Sequence, residues 1–211
     1  QGVGKSLFMC HVASSFLTQG LNVLYITLEM AEERIAERID ANLFDVTIDD
    51  LHDMPKQLYD NKVSKLQAKT GGKLIIKEYP TASAHSGHFR ALLNELALKK
   101  SFKPDVVFVD YLNICASARF KGGNISSYFY IKAIAEELRG LAVEFNMPIF
   151  SATQTTRTGY VSTDIGLEDT SESFGLPATA DFMFALMSNE ELEALGQMKV
   201  KQLKNLSLIH I

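Results

Sequence analysis

Gln1-Gly2-Val3-Gly4-Lys5-Ser6 opens the chain and runs directly into the apolar segment 7–17. These residues match the last six positions of the P-loop pattern G-x-x-x-x-G-K-[ST]. The glycines permit a tight turn whose backbone N–H groups converge on a polyphosphate. The Lys5 ammonium can reach the outer phosphates, and the Ser6 hydroxyl can sit on a magnesium ion. The helix that follows would point its positive end at the anion. Gly2, Val3, Gly4, Lys5, Ser6 and Leu7 are therefore the candidate nucleotide cradle. The first glycine of the pattern and the strand that should feed it both lie upstream of Gln1. The sequence thus reads as a piece truncated at both ends and lacking its first, P-loop strand.

Working outward, residues 7–18 have helical apolar spacing and stop at Gln19-Gly20. Residues 22–28 are β-branched and aromatic, a buried strand ending at Glu29. A helix over 31–42 carries Glu32, Glu33, Arg34, Glu37 and Arg38 on a polar face. Residues 45–72 suggest two short helices broken at Met54-Pro55. A strand over 73–79 is followed by a loop over 80–87 and a helix over 89–100. His85 and His88 read as solvated loop residues rather than a metal pair, because no thiol or carboxylate accompanies them.

Residues 105–110 form the most continuous apolar run, suited to a central parallel strand covered on both faces. An amphipathic helix over 131–145 precedes a strand over 149–154. Residues 181–187 and 199–203 are candidate closing strands, flanking an acidic helix over 189–195. Strands alternating with helices indicate an α/β domain, a mainly parallel sheet flanked by helices. One domain over 1–205 is the economical reading, with 206–211 a non-native or unstructured tail.

The bulk properties agree. A 211-residue chain, 46% hydrophobic and 22% charged, can bury a substantial core. A net charge of −4 argues against a uniformly basic coat, though not against a local basic channel. Cys10 and Cys115 lie in apolar contexts without metal-ligand spacing and read as reduced core residues of a cytoplasmic protein. No apolar run approaches the length of a membrane span.

Three apolar runs end in polar residues: Glu29, Asp110 and Gln154. In a parallel sheet all three would project toward the edge that holds the cradle. There Asp110 suits a Walker-B aspartate beside Ser6 on magnesium, and Glu29 suits the residue that orients and deprotonates a water. Gln154 could hydrogen-bond a γ-phosphate and report its loss to the following loop. Two polar loops on that edge, 116–127 and 155–169, contain Arg119, Lys121 and Arg157, with Tyr128, Phe129 and Tyr130 beside the first. Such residues can grip a nucleic-acid backbone or stack on bases without reading sequence.

Gly4-Lys5-Ser6, Leu28-Glu29-Met30, Val109-Asp110-Tyr111-Leu112 and Ala152-Thr153-Gln154 together resemble the DnaB-type replicative helicases, whose ATPase core is RecA-like. The finer pattern is closest to the branch found in T-even-type bacteriophages. Segments 29–33, 38–42, 132–139 and 175–182 carry that similarity, which runs from residue 1 to about 205. The resemblance implies a homohexameric ring that hydrolyses ATP or another nucleoside triphosphate with Mg²⁺ at subunit interfaces. It would move along single-stranded DNA, with a primase and a helicase loader as partners, in a bacterial host's cytoplasm and away from membranes. Lys5 and Ser6 match the phosphate and magnesium residues, Glu29 the catalytic glutamate, Asp110 the Walker-B aspartate and Gln154 the γ-phosphate sensor. Residues 170–180 match a region associated with DNA contact. Lys204 fits the lysine of the family's Lys-x-Arg, which reaches the neighbouring subunit's site, but Leu206 stands where the arginine belongs. The piece alone is therefore expected to be a weak motor. A strand-exchange ATPase of RecA type would share the nucleotide residues. A binding-only, nucleotide-dependent DNA module would have no need of Glu29.

Overall fold

In the computed structural model, residues 4–120, 125–154, 166 and 175–206 are described. Four parallel strands form the central sheet: β1 (Val23–Thr27), β2 (Leu74–Glu78), β3 (Val106–Asp110) and β4 (Ile149–Ser151), in the order β2-β1-β3-β4. Every residue of β1 and β3 is buried. Their alternation explains why both runs are continuously apolar. Leu24, Ile26, Val107 and Val109 face one core, packed by α5 (Ser86–Lys100) and α6 (Ser127–Glu144). Val23, Tyr25, Val106 and Phe108 face the other, packed by α1 (Lys5–Thr18) and α2 (Glu32–Phe44). A strand whose two faces are both covered has no polar side to show.

The expected elements are present with shifted ends. Residues 45–72 resolve into α3 (Ile48–His52), closed by a Thr47–Asp50 capping box, and α4 (Lys56–Thr70). The latter is longer than a short helix and is held to α2 by Tyr59 donating to Asp40 at 2.6 Å. His85 and His88 are not loop residues but the capping pair of α5. His85 Nδ1 accepts from Gly87 N at 3.0 Å, and His85 N donates to His88 Nδ1 at 3.2 Å. No group of three or more His, Cys, Asp or Glu side chains that could hold a metal ion occurs among the described residues. Tyr128, Phe129 and Tyr130, read as following the 116–127 loop, form the first turn of α6.

The closing strands do not extend the parallel sheet. After the short α7 (Gly175–Thr179), β5 (Phe182–Met187) pairs antiparallel with β6 (Lys199–Asn205) in a sheet of their own, with α8 (Glu190–Ala194) between them. Alternating apolar spacing identifies a strand but not its partner. Among the described residues no helix is long and apolar enough to cross a membrane.

Candidate active site

Gly4 is the N-cap of α1 and adopts φ 82°, a left-handed conformation that only glycine takes without strain. A Cβ there would also lie 3.0 Å from Met198 Cε, so the turn before β6 closes against the cradle. No side chain caps α1 and its first turn has no acidic residue. The N–H donors of that turn are thus left for an outside acceptor, at the positive end of a 14-residue helix. Gly2 and Val3 lie outside the described residues; Ser6 sits half-buried in the first turn and Leu7 is exposed.

Asp110 is the last residue of β3 and is 1% exposed. The alternation along β3 puts it on the α1 face, and Tyr25 of β1 donates its hydroxyl to Asp110 Oδ2 at 2.8 Å. Burial pushes the Tyr25 phenol far above its ordinary pKa, and the Asp110 charge adds to the effect. The phenol therefore stays a donor. Burial likewise raises the thiol of Cys10, whose Sγ lies 3.9 Å from the Tyr25 oxygen, to about 11. Asp110 Oδ1 is buried with no hydrogen-bond partner among the described residues. A buried carboxylate oxygen left unpaired is costly. A hard divalent cation with its water shell is a partner such an oxygen suits, so Asp110 fits magnesium, and the Ser6 hydroxyl is an oxygen donor of the same hard class.

Glu29 lies two residues past the end of β1 and is exposed, while Gln154 lies three past β4. Neither ends its strand, as the apolar runs had suggested; Gln154 nonetheless turns back to Tyr111. Gln154 Nε2 donates to the Tyr111 hydroxyl at 3.2 Å. The Lys5 ammonium lies 5.9 Å from the centre of the Tyr111 ring, a cation–π contact. The Tyr111 phenol is raised by burial first, then by the nearby charges of Glu29 and Asp110, against a lowering by Gln154. The sequence shows Tyr111 within the Val109-Asp110-Tyr111-Leu112 segment but nothing there assigns it a role. Backbone bonds lock the surrounding strand ends: Leu28 N to Asp110 O at 2.9 Å, Leu112 N to Ala152 O at 3.1 Å, and Tyr79 N to Thr27 O at 2.9 Å.

Arg119 is not on a free loop. Its guanidinium pairs with Glu136 of α6 at 2.5 Å. Its backbone is drawn onto Glu137, which accepts from Ser117 Oγ at 2.6 Å, Ser86 Oγ at 2.9 Å, Ala118 N at 2.9 Å and Arg119 N at 3.3 Å. Lys121 and Arg157 lie outside the described residues. Lys204, on β6, donates to the Pro177 carbonyl at 2.6 Å.

Residues 1–207 match the family described as DnaB-like helicase C terminal domain. The chain is 50% identical over 206 residues to the DnaB-like replicative helicase of Enterobacteria phage T4, which covers 96% of this chain and 43% of that protein. It is 29% identical over 157 residues to a probable plasmid replicative DNA helicase of Chlamydia psittaci, covering 74% of this chain and 33% of the relative. It thus spans less than half the length of these curated relatives. Among solved structures, an ATPase domain superposes with a TM-score of 0.76 at 18% identity, over 98% of this chain and 74% of that one. A DnaB-like replicative helicase studied with its interactions with primase also gives 0.76 at 18% identity, over 98% of this chain and 50% of that one. The superpositions show that this chain shares the fold of those ATPase domains.

Proposed function

The chain belongs to the DnaB-like helicase C-terminal domain family, and from that premise we propose that it is the ATP-driven motor of a replicative DNA helicase. The observation that carries this reading is Tyr111, which directly follows Asp110 at the carboxyl edge of a parallel sheet and has Lys5 over its ring and Gln154 at its hydroxyl. Ligands of doubly wound sheets bind on that edge.

Each residue then has a distinct task. The N–H groups at the start of α1 cradle the phosphates, and Lys5 holds the outer ones. Ser6 and Asp110 would hold the magnesium, which when bound would supply neutralisation of charge on the phosphate oxygens. Glu29, exposed beyond β1, has the freedom to accept a proton from water aligned with the γ-phosphate. Gln154 leaves Tyr111 to bond that phosphate and carries the change into the segment that follows β4. Lys204 serves the neighbouring subunit's site once released from Pro177. Arg119, Lys121 and Arg157 contact the phosphates of single-stranded DNA; for Arg119 this requires exchanging Glu136 for a DNA phosphate. The assembly is a homohexamer acting with primase and a loader in the cytoplasm of the bacterial host.

The test is nucleoside triphosphate hydrolysis by the full-length protein, with and without single-stranded DNA, alongside strand displacement. DNA should stimulate turnover, and Lys5→Ala should abolish it by weakening nucleotide binding. Undiminished turnover in Lys5→Ala would contradict the assignment.

A further inference from the structure

We propose that Tyr25 is a positioning residue for the metal-holding carboxylate, fixing Asp110 Oδ2 from inside the core so that Oδ1 alone is presented to magnesium. This rests on the reading of Asp110 given above. Tyr25 and Asp110 are both essentially without solvent contact, at 0% and 1% exposure. A phenol so buried must find a partner for its hydroxyl, and the 2.8 Å bond to Asp110 Oδ2 supplies it.

The parallel register pairs Tyr25 with Phe108 and Thr27 with Asp110. Tyr25 therefore reaches diagonally up the sheet, on the face that α1 covers. Its ring cannot swing away. It stacks on Phe108 at 5.5 Å and 8°, and Phe108 stacks on Phe150 at 5.1 Å and 20°. Cys10 of α1 also lies against the phenol oxygen, its Sγ at 3.9 Å. An aromatic wall spanning β1, β3 and β4 thus sets the phenol, and the phenol sets the carboxylate. A bond to one carboxylate oxygen removes the group's rotation and decides where the second oxygen points. That second oxygen is the one the protein leaves unpaired. Partners that orient a metal ligand in this way govern metal affinity without touching the metal.

The experiment measures Mn²⁺ binding to the full-length protein saturated with ADP, by electron paramagnetic resonance. ADP affinity in EDTA is measured alongside. Tyr25→Phe should weaken Mn²⁺ binding by about 10- to 100-fold while metal-free ADP affinity stays unchanged. Asp110→Asn should weaken it at least as much. The double variant should bind no worse than Asp110→Asn, because Tyr25 acts only through that side chain. Unchanged Mn²⁺ affinity in Tyr25→Phe, with a loss in Asp110→Asn, would show that Tyr25 merely fills the core. Additive losses in the double variant would overturn the proposal as well. Unchanged affinity in both variants would instead remove the metal role of Asp110 itself.

A second measurement leaves Tyr25 in place and so survives a failure of Tyr25→Phe to fold. In 3-fluorotyrosine-labelled Tyr111→Phe protein, Mn²⁺ with ADP should broaden at least one fluorine resonance, and Asp110→Asn should prevent this. Broadening of none overturns the assignment.

Discussion

The side-chain amide of Gln154 donates to the hydroxyl of Tyr111 across 3.2 Å, although the two residues sit on different strands' exits and 43 positions apart. Tyr111 also carries the Lys5 ammonium over its ring. One phenol thus occupies two groups that are assigned to the phosphates.

Tyr111→Phe keeps the ring under Lys5 but removes the acceptor for Gln154. A neutral hydrogen bond contributes about 0.5–1.5 kcal/mol. Freed from that competitor, Gln154 should tighten binding of a non-hydrolysable ATP analogue by about 2- to 10-fold. ADP, which has no γ-phosphate for it to reach, should bind as before. Calorimetric titration of both nucleotides checks the difference, and equal shifts for the two would remove Gln154 from the γ-phosphate.

Glu29→Gln keeps the size of the side chain and deletes its basicity. ATP binding should persist while kcat falls by about 10²- to 10⁴-fold. Rapid-quench measurement of the hydrolytic step reads this directly. Lost binding with an unaltered rate would mean that the base lies elsewhere.

Glu137 ties the segment after β3 to α5 and α6. Burial pushes its carboxyl up, but hydrogen bonds from Ser117, Ala118, Ser86 and Arg119 outweigh burial and hold it below the usual carboxylate range. A depressed folded-state pKa stabilises the fold above the unfolded value of about 4.3 and loses that contribution as pH falls through the folded value. Urea unfolding at pH 7 should find Glu137→Gln less stable by about 1–2 kcal/mol after allowance for solvent screening. The gap should narrow steadily as the pH is lowered below about 4.3. A constant gap would show that the charge is not what holds the segment.

Phe108→Ala removes the centre of the aromatic wall. Phe108 is 0% exposed and stacks between Tyr25 and Phe150, with Phe16 of α1 at 6.3 Å. The loss should be about 3–5 kcal/mol by denaturant titration. A loss below about 1 kcal/mol would mean that the surrounding rings collapse into the gap.

Much of this molecule could be read from local rules. The runs at 22–28 and 105–110 forecast buried strands, the second covered on both faces, because only a covered strand can dispense with polar residues. Gly4-Lys5-Ser6 before a helix forecast the tight glycine turn into α1, because φ 82° at Gly4 and an uncapped helix start are consequences of a few adjacent residues. The sheet edge that would gather Glu29, Asp110 and Gln154 followed from parallel pairing.

What lay beyond the sequence was decided by contacts between distant side chains, which no periodicity encodes. His85 and His88 have the spacing of a loop pair and become a helix cap only because α5 begins between them. Arg119 looks like a free cation until α6 brings Glu136 beside it. The strands at 181–187 and 199–203 carry an alternation that is silent about partners, and their pairing with each other is a tertiary outcome. Tyr25 and Tyr111 stand among apolar neighbours as two more aromatic residues. Only the packed sheet places their hydroxyls against Asp110 and Gln154, since hydrogen bonds of that reach depend on where whole strands lie.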